Sequence, residues 1–536
     1  MGSVRFPIII SGVLLVALTS PQARGQTHQR PTRRAREKAH QPLRAPIVYD
    51  VRVPVPSSHV VRVDASFPTD GRDSVDLMMA IWSPGYYRVE HYESRVSDLA
   101  AHAPGGAALR VAQPAPNRWR VYTDGQARVL VSYSVRCVER SVTLNWVDDT
   151  LAVLNGAPTF ITLADRTPRP HQVQLQLAPQ WPQALTGLAP SRDGLPNHYV
   201  ARDYDELVDS PIVAGTFQVR EFTVGDTKHV LATAGAPPSW DDDRATHDLE
   251  RIVAAQRRFW GTLPYSRYVF LNLFRPGGGG LEHSTSTLLT SSAARMSSPS
   301  AYLGWLMFVS HEYFHAMNVK RLRPVELGPF DYEKQPSTQS LWISEGLTSY
   351  FGELTVERSG VGKPDDVLNA LSSHIAHVQN APGRLVQTLA QSSLDVWSGG
   401  ISGIGRDSTT TVSYYEKGAV VGFLLDAHLR RLTKDGACST TMRSAYHRYP
   451  GARGFTPDEF RQVAEQVCRR CRLLGALPQH VVIDRRTRLR GGAIVFGPRF
   501  RTTDDSPEGA RQLETRRDFT PAQRAHLDAW LSSATR

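Results

Sequence analysis

Cysteine is scarce: four in 536 residues, too few for a disulfide framework to stand in for a hydrophobic core. Cys137 stands alone in a strand-like stretch. Cys438, Cys468 and Cys471 cluster late, where Cys438 can pair with either of the other two. A lone Cys-x-x-Cys at 468–471 is weak evidence for a second zinc site or a redox centre, and one structural bridge is the plainer reading. No cysteine follows the N-terminal apolar segment, which argues against lipid attachment there. Long apolar runs are lacking as well, since nothing beyond the first 18 residues is apolar enough to span a membrane. The body of the chain also lacks an excess of one charge. The formal net charge is +11, but Arg5 and Arg24 supply +2, residues 26–46 supply +5 and residues 484–536 supply +4. Residues 47–483 are therefore near neutral, which excludes a basic, nucleic-acid-seeking surface.

What is there falls into segments. The first 25 residues read as a secretory signal: Arg5, an apolar stretch over 7–18, then Ala23-Arg24-Gly25 before a cut at Gln26. The expectation is an exported protein, periplasmic or secreted, with no stable membrane span after signal removal; an uncleaved anchor is the alternative. Residues 26–46 are basic, punctuated by proline and without hydrophobic period, so they read as a disordered linker. Over 47–225 apolar and polar residues alternate (Val51-Arg52-Val53, Val60-Val61-Arg62-Val63) between turn signals, which predicts a β-rich, sandwich-like domain. Helical patterns take over from about residue 241, and 226–478 is expected to be a mainly helical domain. Thr456-Pro457-Asp458-Glu459 has the make-up of a helix start. Residues 479–536 form a short arginine-rich extension with a strand-like run at 493–496 and a small helix ending near Leu531. The fold class predicted is α+β.

One pentad carries chemistry. His311-Glu312-Tyr313-Phe314-His315 lies in an apolar stretch predicted as a helix over 301–320, with Ser300 as N-cap and Pro299 and Pro324 outside. Positions i and i+4 share a helix face, so two imidazoles can hold one metal, with Glu312 placed to take a proton from a bound water. The bland alternative is a buried helix whose histidines bond to backbone. A catalytic zinc needs a third protein ligand. Glu345, in a second apolar helical stretch at 341–350, can supply it unless it is a surface carboxylate at a helix start. Gly277-Gly278-Gly279-Gly280 leads into Leu281-Glu282, either a close-approach edge for a ligand or a flexible loop. Tyr414-Tyr415 opens an apolar helix, where a phenol can stabilise an oxyanion or simply pack.

Four segments in this order resemble the glycyl aminopeptidase family of gluzincin-type zinc metallopeptidases. They are Gly-Gly-Leu-Glu-His at 279–283, the run from His311 through Pro324, Leu-Trp-Ile-Ser-Glu-Gly at 341–346, and Tyr-Tyr-Glu-Lys-Gly at 414–418. Trp82-Ser83-Pro84-Gly85-Tyr86-Tyr87, Leu207-Val208-Asp209-Ser210-Pro211 and Leu263-Pro264-Tyr265 extend the resemblance. It implies a thermolysin-like catalytic domain after the β-rich one, and one zinc per chain on His311, His315 and Glu345. It further implies Glu312 as general base and then proton donor, and Tyr415 as oxyanion partner in preference to Tyr414. Glu282, with Gly279 and Gly280, would hold the substrate's free ammonium. The expected activity is removal of small N-terminal residues from peptides. The alternatives are an endopeptidase of the same chemistry and a non-catalytic peptide-binding relic. Two departures stand out: the residues after 478 are too few for the PDZ domain usual in the family, and Ala316-Met317 follows the pentad where relatives carry tryptophan.

Overall fold

Alternation of apolar and polar side chains builds the first half of the protein. In the computed structural model, which describes residues 44–296, 298–398, 409–433, 438–468, 499–502, 511–514 and 520–531, Ile47–Arg52 buries Ile47, Tyr49 and Val51. Val60–Pro68 buries Val61, Val63 and Ala65, and Arg128–Arg136 buries Val129, Val131 and Tyr133. These strands lie together in an eight-stranded sheet. Ile47–Arg52 pairs antiparallel with Val60–Pro68 and parallel with His171–Gln176. A four-stranded sheet containing Ser74–Met78 and Arg118–Tyr122 contributes Val75, Leu77, Trp119 and Val121 to the same core. The expected signal segment and most of the basic linker lie outside the described residues, as do Cys471 and the run at 493–496.

A second sheet belongs to the half that carries the pentad. Its five strands are ordered Gln218–Val224, Thr227–Ala234, Arg267–Phe274, Ser286–Ser291 and Gly279–Glu282, the last an antiparallel edge strand. The expected division at 225/226 falls in the turn of its first hairpin. Sequence periodicity suggested helices here because Arg267–Phe274 is apolar along nearly its whole length and buried on both faces. Such a strand has no alternation to read. Its inner neighbours are Val153 and Val213 on one face. On the other face, helices Asp242–Trp260 and Pro299–Phe314 pack Leu249, Ile252, Trp305 and Val309 against Leu231, Phe270 and Leu289.

The pentad's helix begins two residues earlier than expected. Ser298, not Ser300, is the N-cap and accepts from Ala301 N at 3.1 Å, and Pro299 occupies the first turn, where its missing N–H costs nothing. Glu345 lies on a π-helical turn, Trp342–Gly346, that runs into helix Leu347–Arg358. The tyrosine pair opens helix Tyr414–Leu432, capped by Ser413. Thr456 and Glu459 form the capping box of helix Pro457–Val467, as their sequence suggests. Cys137 is buried and free. Cys468 is disulfide-bonded, and the pairing expected among Cys438, Cys468 and Cys471 rests on side chains outside those described.

Helix Pro521–Leu531 docks on this core through Trp530, which is fully buried. Its indole N–H donates to Tyr350 Oη at 2.8 Å, and Tyr350 donates to Asp426 Oδ2 at 2.8 Å. This chain of bonds ties Trp530 to the helix that follows Glu345 and to the helix that Tyr414 and Tyr415 open. Truncating a buried tryptophan costs about 3–5 kcal/mol, so Trp530→Ala should lower the denaturation midpoint clearly, and an unchanged midpoint would contradict this docking.

Candidate active site

His311 and His315 sit one turn apart on a helix buried through Trp305, Leu306, Val309, Tyr313 and Phe314. Their Nε2 atoms are 3.0 Å apart. Glu345 Oε2 lies 3.1 Å from His315 Nε2 and 3.5 Å from His311 Nε2. Ligand atoms of the three lie within 4.8 Å of one another, and among the described residues no other His/Cys/Asp/Glu group meets that test for holding a metal ion.

The other nitrogen of each ring is already committed. His315 Nδ1 donates to Asn318 O at 2.7 Å. Ser349 Oγ gives its proton to Glu345 O at 3.0 Å, so toward His311 Nδ1, 3.3 Å away, it can only accept. Protons on both Nδ1 atoms leave both Nε2 lone pairs facing the carboxylate, the donor set that a divalent cation requires. Burial works against the imidazolium of His315, yet Glu345 more than offsets it and lifts the pKa to about 10. Burial alone would raise Glu345, but His315 holds it down to about 2. The cluster demands positive charge at this point, and a bound divalent cation meets the same demand.

Asn318 explains why the helix ends at Phe314 rather than near residue 320. The chain turns after His315 so that Asn318 Nδ2 reaches Ile343 O at 2.9 Å, Ser344 O at 3.1 Å and Thr348 Oγ1 at 3.0 Å. One residue therefore binds a histidine to the glutamate turn. Gly346 and Gly418 bring in the tyrosine helix: a Cβ on either would collide with the backbone of the other.

Glu312 is 6% exposed, and burial raises its pKa to about 8. Its carboxylate occupies the space where a side chain on Gly280 would project. Two residues along the same edge strand, Glu282 is 4% exposed and its Oε1 has no hydrogen-bond partner. Lys320 Nζ stands 3.7 Å from that oxygen but bonds Asp209 Oδ1 at 2.9 Å. Asp209 also accepts from Ser284 N at 2.8 Å. Gly85, with φ +95°, lies so close to Glu282 that any side chain there would strike its carboxylate.

A cavity of about 490 Å³ is lined by His311, Glu312, His315 and Glu345 together with Gly279, Gly280, Glu282, Tyr414 and Tyr415. All nine were singled out in the sequence, and they meet there. Tyr415 stacks against His311 with ring centroids 6.2 Å apart, and Tyr414 stacks on Tyr415 at 4.8 Å. Burial, reinforced by Glu345, keeps the Tyr415 phenol protonated. A smaller cavity of about 280 Å³ adjoins through Gly85, Tyr87 and Glu282, which line both.

Residues 48–216 match the Peptidase M61 N-terminal domain and residues 304–421 match M61 glycyl aminopeptidase, together more than half of the chain. The chain belongs to the M61 glycyl aminopeptidase family. It is therefore a metallopeptidase. No curated protein matches it. Among solved structures it is similar to an aminopeptidase N family protein from Idiomarina loihiensis, with 26% identity, a TM-score of 0.76, and coverage of 86% of this chain and 80% of that one. The M1 zinc metallopeptidase of Deinococcus radiodurans matches at 15% identity and a TM-score of 0.48, over 79% of this chain and 92% of that one. A variant of that enzyme bound to a Tyr-Ser-Ala substrate covers 81% and 95%, at the same identity and TM-score.

Sequence reasoning assigned no role to Asn318, Ser349, Asp209, Lys320 or Gly85, although several lie inside the family's motifs. Their partners are distant in sequence, so no local period marks them. Another tie of this kind is His374, whose Nε2 is 2.9 Å from Glu353 Oε1 and whose Nδ1 bonds Glu416 Oε2. It links the glutamate helix to the residue after Tyr415. Burial opposes its charge, but Glu353 and Glu416 raise its pKa to about 10 from 6.5. A raised folded-state pKa stabilises fully below the unfolded value and is lost as pH rises through the folded one. The stability difference between wild type and His374→Gln should thus be largest near pH 6 and shrink toward pH 10, as read by denaturation at each pH; a flat difference would contradict this. Gly280→Ala should displace Glu312, lowering kcat/KM by about 100-fold or more while metal content stays unchanged. Full activity in that variant would show that Glu312 is free to sit elsewhere.

Proposed function

We propose that this chain is a zinc aminopeptidase that removes N-terminal residues, chiefly small ones such as glycine and alanine, from peptides. The observation that carries this reading is Glu282: a buried carboxylate whose Oε1 accepts no hydrogen bond, two residues along the edge strand from the glycine that abuts Glu312. Lys320 is already paired with Asp209, so one negative charge is left facing the cavity. A peptide's α-ammonium answers it with a charge-assisted hydrogen bond. An internal peptide bond brings no such cation, which favours end-trimming over internal cleavage. The family's description as glycyl aminopeptidases supports the preference for small residues.

Two imidazoles and one carboxylate suit zinc, leaving a coordination position open. His311, His315 and Glu345 would hold it, and when bound it supplies Lewis-acid polarisation and a lowered water pKa. Glu312 takes the proton of the attacking water and passes it to the leaving amine. A carboxyl whose burial keeps its proton affinity high suits both tasks. Tyr415, protonated and stacked on His311, donates to the oxygen on which charge develops. The N-terminal apolar stretch behind Arg5 supports export to the periplasm or beyond; sequencing the mature N-terminus from cell fractions tests that.

Glu312→Gln should keep its metal and lose about 10³-fold in kcat, whereas near-normal turnover in the metal-loaded variant would sink the assignment. Chelation should abolish activity and zinc restore it. N-acetylation of a peptide should block its cleavage, while equal cleavage of acetylated and free forms would favour an endopeptidase.

A further inference from the structure

We propose that the cavity carries a second charged anchor, Arg140 assisted by Arg88, which binds the C-terminal α-carboxylate of a short peptide, so that the preferred substrates are di- and tripeptides with a free carboxyl end. This rests on the aminopeptidase reading above and goes further, to the length and charge of the substrate.

Position along the edge strand carries the inference. Glu282 ends the strand Gly279–Glu282, Gly280 abuts Glu312, and Gly279 lies beside Val142, whose methyls are 3.8 and 3.9 Å from where a Cβ on Gly279 would stand. The segment Arg140-Ser141-Val142 therefore borders the cavity at the end away from Glu282. A peptide with its amine at Glu282 and its first carbonyl at Glu312 continues toward Gly279 and that segment. Extended residues advance about 3.4 Å each. The carboxylate of a di- or tripeptide then falls about one or two residues beyond Gly280, within reach of an arginine side chain.

The charges at that end suit a carboxylate. Among the described residues Arg140 forms no ion pair; its guanidinium rests 4.5 Å over the ring of Trp146, with Arg275 on the same ring at 5.0 Å. Arg88 lines the cavity too; its side chain is 66% exposed and its ion pair with Glu90 is long, at 3.7 Å. The Glu282 end of the cavity thus offers a carboxylate oxygen without a hydrogen-bond partner, and the lining elsewhere adds the exposed guanidinium groups of Arg140 and Arg88. That pattern complements a peptide with a charge at each end, and guanidinium is the side chain best shaped for a carboxylate.

The test compares Ala-Ala-Ala with its C-terminal amide and its N-acetyl form on the zinc-loaded full chain, in wild type, Arg140→Ala and Arg88→Ala/Arg140→Ala. Wild type should favour the free acid over the amide by about tenfold in kcat/KM, mainly through KM. Arg140→Ala should lower that ratio and the double variant bring it near one, with turnover of the amide unchanged throughout. A ratio near one in wild type, or one that survives in the double variant, would overturn the carboxylate anchor while leaving the aminopeptidase reading intact. Rapid cleavage of the N-acetyl peptide would overturn that reading, and the anchor with it.

Discussion

Two imidazole lone pairs and a carboxylate converge within a buried part of the molecule, and that concentration of electron density must be met by positive charge. Much of the catalytic half serves to hold the three groups in place. Asn318 and Ser349 fix the outward-facing nitrogens of the rings, which leaves the inner nitrogens as donors. A π-helical turn sets Glu345 opposite them, the kind of helical irregularity that concentrates at functional sites. Glu312 lies beside His311 in the same cavity, and the edge strand Gly279–Glu282 runs along its wall.

Backbone contacts set the remaining distances. Gly346 against Gly418 lets the glutamate turn and the tyrosine helix approach more closely than side chains permit, so Tyr415 can stack on His311. Gly280 makes room for Glu312 and Gly85 for Glu282. The β-rich half is not a mere platform. Gly85 bounds the carboxylate that is read as the amine anchor, and Asp209 occupies the lysine that would otherwise neutralise it. Both reach the site from residues that precede the catalytic sheet, so the cavity is shared between the two halves of the fold.

The site was more legible than the architecture around it. His311, Glu312 and His315 are read from spacing alone because a helix brings i and i+4 together. Glu345 stood out as a lone carboxylate in an apolar run, and Glu282 as the acid at the end of a glycine run. The five-stranded sheet was missed for a physical reason: a strand buried on both faces, such as Arg267–Phe274, has the same apolar pattern as a buried helix. The length of the pentad's helix was overestimated because its end depends on Asn318 bonding to residues 343–348, a tertiary interaction with no local mark. Asp209 and Arg140 act through partners or positions far along the chain, which a single sequence does not pair.

Zinc X-ray absorption on the loaded protein tests the central claim most directly, because it reads the atoms around the metal. The account predicts one zinc per chain with nitrogen and oxygen neighbours at about 2.0–2.2 Å and the multiple scattering of two imidazoles, a signal that Glu345→Ala should perturb. A sulfur shell at about 2.3 Å, which would place the metal on the late cysteines, or a spectrum indifferent to Glu345 would contradict it.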